Sequence, residues 1–174
     1  MYKRQPKNLR DTLVKAKVPD PPSRPTRSVP GMSKCTRVHC VTCPYVVTGS
    51  EIKCPITGKM AKLTAPVNCQ TTNCVHAITC KKCHQKYIGT TGNSISSRFG
   101  QHRGYVNQYN TKIEAGKIPE ATGEHFNLPS HSISDMELQI VEKVFSKSPA
   151  VREQREKMYI NYFESETKGM NRRQ

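Results

Sequence analysis

The stretch CKKCHQKYIGTTGNSISSRFGQHR, Cys80 to Arg103, holds a thiol pair, an aromatic-glycine step and an arginine-histidine pair within 24 residues. Cys80-x2-Cys83 is a turn that presents two thiolates on one side of a bend, as tetrahedral zinc requires. Downstream, His125 and His131 in HFNLPSH have the spacing to close a Cys2His2 site. A second thiol pair, Cys40-x2-Cys43, follows Cys35 in CTRVHCVTC, and Cys69 and Cys54 both offer a fourth ligand. His39 sits inside that loop and is the weaker candidate. Cys74 belongs to neither set, because an extended run from 74 to 80 separates it from Cys80 by about 20 Å. It is expected to be a small buried residue.

Elements must position these groups. CVHAITCKKCHQKYIGTT reads as two β-rich runs, 75–79 and 85–89, joined as an antiparallel hairpin by the CKKC turn. Asn93 or Ser94 can cap a helix running to about 108, with Ile95, Phe99 and Val106 inward and Arg98 and His102 one turn apart on one face. EAGKIPEATGEHFNLPSHS is a broken helix and loop, and MELQIVEKVF, with Met136, Leu138 and Ile140 alternating, is a third strand. Ser148 and Pro149 supply a cap and first-turn proline for a last helix with a stripe of Val151, Met158, Tyr159 and Tyr162, placing Glu156 at the stripe's edge. The order β-β-α-loop-β-α describes a small α/β sandwich with a three-stranded antiparallel sheet flanked by helices. Ahead of it lie a basic, Pro-rich linker with a short helix carrying Leu9, Leu13 and Val14 (1–34) and a cysteine-rich zinc knuckle (35–68), leaving 69–174 for the α/β domain.

The 174 residues carry 28 Lys and Arg against 13 Asp and Glu, a formal charge of +15, which makes a polyanion, nucleic acid first, the expected partner. Only 34% of residues are hydrophobic and Trp is absent, so the core is modest and metal ions are a natural supplement. No apolar run approaches a membrane span, and MYKRQPKNLR lacks the apolar stretch of a secretory signal. The chain is therefore expected to be nuclear or otherwise intracellular, not secreted, and the closely spaced cysteines among its eight are better explained as metal ligands than as members of four disulfides.

At Tyr87-Ile88-Gly89 the hairpin and helix resemble the GIY-YIG nuclease family, and the likeness continues through Arg98, His102, Glu156 and Asn171. NLRDTLVKAKVP, CKKCHQKYIG, HFNLPSHS and VREQREKMYI look more closely like the C-terminal part of Penelope-like retroelement proteins, where a reverse transcriptase precedes a zinc-containing GIY-YIG endonuclease. The likeness spans residues 7 to 171. One departure stands out: counting back from Tyr87 to the family's first tyrosine lands on His76, within CVHA.

The resemblance implies a metal-dependent DNA endonuclease that nicks a target to expose a 3′ end, with a reverse transcriptase domain or its RNA as a further partner and no membrane association. It also implies that Glu156 holds Mg²⁺ or Mn²⁺, that Arg98 contacts the scissile phosphate, and that His102 orients water or leaving group. Tyr87 and His76 would flank the water, with Asn171 completing the site. A histidine at position 76 is competent as a base near neutral pH. The rival reading is a catalytically silent zinc-containing module that binds nucleic acid through charge alone.

Overall fold

The computed structural model describes residues 29–172; the short helix expected around Leu9, Leu13 and Val14 lies outside them. Four short strands come first: β1 (Gly31–Met32), β2 (Glu51–Lys53), β3 (Met60–Lys62) and β4 (Pro66–Val67). They are followed by β5 (Cys74–Cys80), β6 (Lys86–Thr91), α1 (Ile95–Asn107), α2 (Tyr109–Glu114), α3 (Ala121–His125), β7 (Met136–Lys143) and α4 (Pro149–Phe163). The β-β-α-β-α core order is the expected one, and the intervening loop holds two short helices.

β5, β6 and β7 form a three-stranded antiparallel sheet in the order β6-β5-β7. All seven residues of β5 are buried, as a central strand covered on both faces must be, and its β-branched Val75, Ile78 and Thr79 suit that place. Its pairing sets His76 opposite Gly89 and Ile78 opposite Tyr87. By the pleat these four share one face, and His102 of α1 packs on it. Glu142, paired with Val75 on the opposite face, holds Arg155 of α4 through two bonds of 2.7 and 2.8 Å. α1 and α4 therefore sandwich the sheet.

Both sheet edges are covered, which blunts their tendency to pair with other chains. On the β7 side, Val47 N–H donates to Leu138 O at 3.1 Å and the Met32 sulfur accepts from Ile140 N–H. On the β6 side, Met170 N–H donates to Lys86 O at 2.9 Å. The cysteine-rich segment is packed onto the α/β layers: Tyr45 lies 5.1 Å from Phe99 between ring centroids, and Thr42 bonds Ser96. Met32, Val46, Ile52 and Leu63 bury in one continuous cluster with Phe99, Leu138 and Phe163.

α1 begins where its chemistry dictates, the Ser94 hydroxyl accepting from Ser97 N–H, and its buried face is Ile95, Phe99, His102 and Val106. α4 departs from its expected stripe. Pro149 does occupy the first turn, although Ser148 makes no side-chain capping bond. Val151, Met158 and Tyr162 are exposed, and the inward face is built from Ile160 and Phe163 with half-buried Arg152, Arg155, Glu156 and Tyr159. Charged side chains occupy that face because they have partners there: Arg155 meets Glu142, and Arg152 donates to Asn73 Oδ1 and Lys147 O. β7 also stops at Lys143, two residues short of the expected end, and Phe145 is left 83% exposed.

Candidate active site

The hairpin's second strand delivers Tyr87, α1 delivers Arg98 and His102, and α4 delivers Glu156. All four line one cavity of about 310 Å³, together with Asn171, Tyr105, Glu120, Thr122, Glu166 and Arg172. The cavity opens beside β6, where the layers carrying α1 and α4 meet.

Gly89 is what makes the strand wall possible. A Cβ there would stand 2.7 Å from Tyr87 Cε1, 3.1 Å from His76 Cε1 and 3.2 Å from His76 Nε2. Its lack of a side chain gives two rings room on the same sheet face.

The water-flanking position expected for His76 does not hold. Its ring is fully buried behind His102 and does not line the cavity. Nε2 of His76 lies 3.3 Å from Nε2 of His102, whose Nδ1 lies 3.1 Å from Thr122 Oγ1. His76 Nδ1 is buried without a partner, and an orphan lone pair costs less than an orphan N–H. That assigns the tautomers: His76 Nε2–H donates to His102, and His102 Nδ1–H donates to Thr122. Burial, with Arg98 adding to it, pushes His76 down to about 3, and burial, His76 and Arg98 hold His102 well below its ordinary value. Both imidazoles are neutral at physiological pH. The expected role of His102 in orienting water also changes, since both its nitrogens are engaged inside the protein. Its ring instead supports Tyr87, edge to face at 5.0 Å between centroids.

Tyr87 carries a phenol raised by burial; Arg98 pulls it down and Glu156 pushes it up. Burial likewise raises the Glu156 carboxyl, offset in part by the Thr90 N–H and Arg98. Among the described residues no salt bridge reaches Glu156. Arg98 donates one bond to Gln101 at 2.8 Å and keeps a buried Nε with no partner. A guanidinium with unused donors therefore faces a carboxylate with unused lone pairs across a cavity.

Asn171 meets the main chain rather than the cavity contents. Its amide oxygen accepts from Ile88 N–H and its amide nitrogen donates to Ile88 O, both at 2.8 Å. It pins the C-terminal segment to the outer edge of β6, next to Tyr87, so its role is positional.

The metal-ligating residues assemble as two groups. Cys35, Cys40, Cys43 and Cys69 place their sulfurs within 4.8 Å of one another, as do the ligand atoms of Cys80, Cys83, His125 and His131. Cys69, not Cys54, completes the first set; Cys54 is buried in the core, and Cys74 is fully buried outside both sets. Sulfur separations of 3.5 Å for Cys35–Cys43 and 3.6 Å for Cys43–Cys69 fit the edge of about 3.8 Å that a zinc tetrahedron sets. In the second set His131 Nδ1 faces Pro129 O at 3.1 Å, leaving a buried Nε2 without a protein partner. That is the arrangement of a metal-bound histidine held by its second nitrogen. Both groups can hold zinc.

The model of the GIY-YIG catalytic domain matches residues 72–171. The chain belongs to the GIY-YIG family. No curated protein and no solved structure gave a match. GIY-YIG nucleases typically use divalent metals, and Glu156 fits such a cation: a half-buried oxygen donor with no salt-bridge partner among the described residues, facing an open cavity.

The residues missed by reading the sequence are those around this GIY-YIG site that depend on folding. Thr122, which fixes His102, sits in the stretch taken as broken helix, and no local pattern marks it. Tyr105, one turn beyond His102 on α1, could have been found from the helical period alone.

Proposed function

We propose that this chain is a divalent-metal-dependent endonuclease that nicks DNA. The observation that carries the proposal is the meeting of Tyr87, Arg98 and Glu156, from three separate elements, around one cavity of about 310 Å³. Nicking needs a bound phosphate, a positioned water and a stabilised leaving oxygen. Arg98 has the spare donors for paired bonds to phosphate oxygens, and its charge offsets what develops there. Tyr87 Oη, beside that guanidinium, would hydrogen-bond and orient the attacking water, since a phenol raised by burial keeps its own proton near neutral pH. The neutral His76–His102–Thr122 chain holds the tyrosine ring in place. Glu156 is the residue that would carry Mg²⁺ or Mn²⁺, which supplies Lewis-acid polarisation of a phosphoryl oxygen.

The proposal extends to an origin in a Penelope-like retroelement, with a reverse transcriptase domain or its RNA as partner and a nuclear site of action. What supports that step is the order of NLRDTLVKAKVP, CKKCHQKYIG, HFNLPSHS and VREQREKMYI along the chain. Structural zinc at the two four-ligand groups is part of the same reading.

The test is supercoiled plasmid nicking in Mg²⁺ or Mn²⁺. The wild-type chain is expected to produce open circles, and Glu156→Ala to lose at least about 10²-fold in rate while keeping its melting transition. Salt-sensitive DNA binding with no nicking under either ion would instead favour the silent binding module.

A further inference from the structure

We infer that Phe145 is a DNA-contacting residue that stacks on a nucleobase beside the cleavage site; the inference rests on the nuclease reading above. At 83% exposure Phe145 is among the most exposed large hydrophobic residues described. It is not a loose side chain on a loose loop. Val144, its neighbour, is buried, and Val144 N–H donates to Asn73 O at 2.8 Å. On the other side Ser148 N–H donates to Ser146 Oγ, and Arg152 donates to Lys147 O at 3.0 Å. A loop anchored on both sides thus holds an aromatic ring out in solvent, at the cost of exposing apolar surface that folding would otherwise hide.

Two features choose the occupant. Lys143 and Lys147 flank the ring in sequence, and Arg152 is bonded to the same loop, so the surroundings are cationic. An aromatic ring among cations matches the alternation of base faces and phosphates in nucleic acid, where each stacked base contributes about 1–3 kcal/mol. The loop is linked to the cavity's α4 wall through Arg152. Arg152 bonds Asn73 at the start of β5 and its guanidinium lies 3.1 Å from where a Cβ on Gly92 would sit, next to the cap of α1. Arg152 and Glu156 are one helical turn apart on α4, about 6 Å along its axis. A duplex held at Arg98 and Glu156 is long enough to extend past Arg152 to this loop.

The chain has no tryptophan, so Phe145→Trp introduces a sole indole that reports on its own surroundings. The full chain, with its zinc retained, is titrated in Ca²⁺ in place of Mg²⁺ and Mn²⁺ with an uncut fluorescein-labelled duplex, following anisotropy for binding and indole emission for stacking. Emission is expected to fall at least twofold as the duplex saturates, and Phe145→Ala to weaken binding about 5- to 150-fold. Unchanged emission while anisotropy reports bound duplex overturns the inference. So does an indole already shielded without DNA in a chain that sediments as a dimer, which would make the ring a protein contact. Plasmid nicking by the wild type is scored separately. Nicking with an unquenched indole removes only the stacking residue, and quenching without nicking removes only the nuclease reading.

Discussion

The two walls of the cavity are made differently. The wall of β6 and α1 comes from one short segment, and its rings interlock with His76 of β5 behind them: Tyr87, His76 and His102 pack within 6.4 Å of each other between centroids, with Gly89 leaving them room. The wall of α4 arrives from far along the chain and brings one reactive group, Glu156, steered by polar contacts from Arg152 to Asn73 and from Arg155 to Glu142. The first wall is rigid and sensitive to volume. The second is a charged lever whose worth lies in its carboxylate. Mutations should therefore act through geometry on one side and through charge on the other.

Arg98, on the rigid wall yet working by charge, gives the largest expected departure from that division. Removing a preorganised group that meets developing negative charge costs about 10²–10³-fold in rate. Arg98→Ala is expected to lose that much nicking with little change in the urea midpoint, since its bond to Gln101 lies on an exposed stretch of the helix and its contact with Tyr87 lies at the cavity. A large loss of stability instead would mean that Arg98 belongs to the packing of its wall.

Gly89→Ala tests the volume side. The added methyl would meet Tyr87 at 2.7 Å, and such overpacking costs about 1–3 kcal/mol. Displacing Tyr87 should also lower nicking, about tenfold or more for a sub-ångström shift. Gly104→Ala is the matched control, with no atom within 4 Å of the new Cβ on a helix where alanine is favoured by about 0.5–1 kcal/mol. Urea melts of both variants should move in opposite directions.

The same contrast governs what could be read in advance. Tyr87 was legible through the resemblance carried by Tyr87-Ile88-Gly89, the same-face placement of Arg98 and His102 through the helix period, and Met136, Leu138 and Ile140 because a strand alternates. The burial of His76 was not, because it depends on the register that sets it against Gly89, a long-range fact. α4 misled for a physical reason. Its apolar residues lie on more than one side, and ion pairing lets Arg155 face inward while Met158 faces out, so hydrophobicity alone picked the wrong stripe. Glu156 still reached the cavity because its true face, shared with Ile160, points there. The fourth ligand of the first thiol set was equally a matter of tertiary folding, since Cys54 and Cys69 offer the same chemistry.

The smallest expected effect isolates the floor of the rigid wall. Burial holds His76 at about 3 in the folded chain, whereas an unfolded histidine takes up its proton near about 6.5. Between those values the unfolded state binds the extra proton, so stability is full above about pH 6.5 and falls as pH drops toward 3. One such histidine contributes a slope of about 1.4 kcal/mol per pH unit. His102 acts in the same direction, and protonation of the cysteine and histidine ligands adds its own acid sensitivity, so the measurement is a difference. His76→Gln keeps a polar side chain of similar size without a titrating ring. Urea unfolding of wild type and variant from pH 7 to pH 4.5 should show the variant's slope flatter by about 1.4 kcal/mol per pH unit. Identical slopes would place His76 in contact with water, where it could flank the attacking nucleophile after all, and the division between a packed wall and a charged one would fail at its centre.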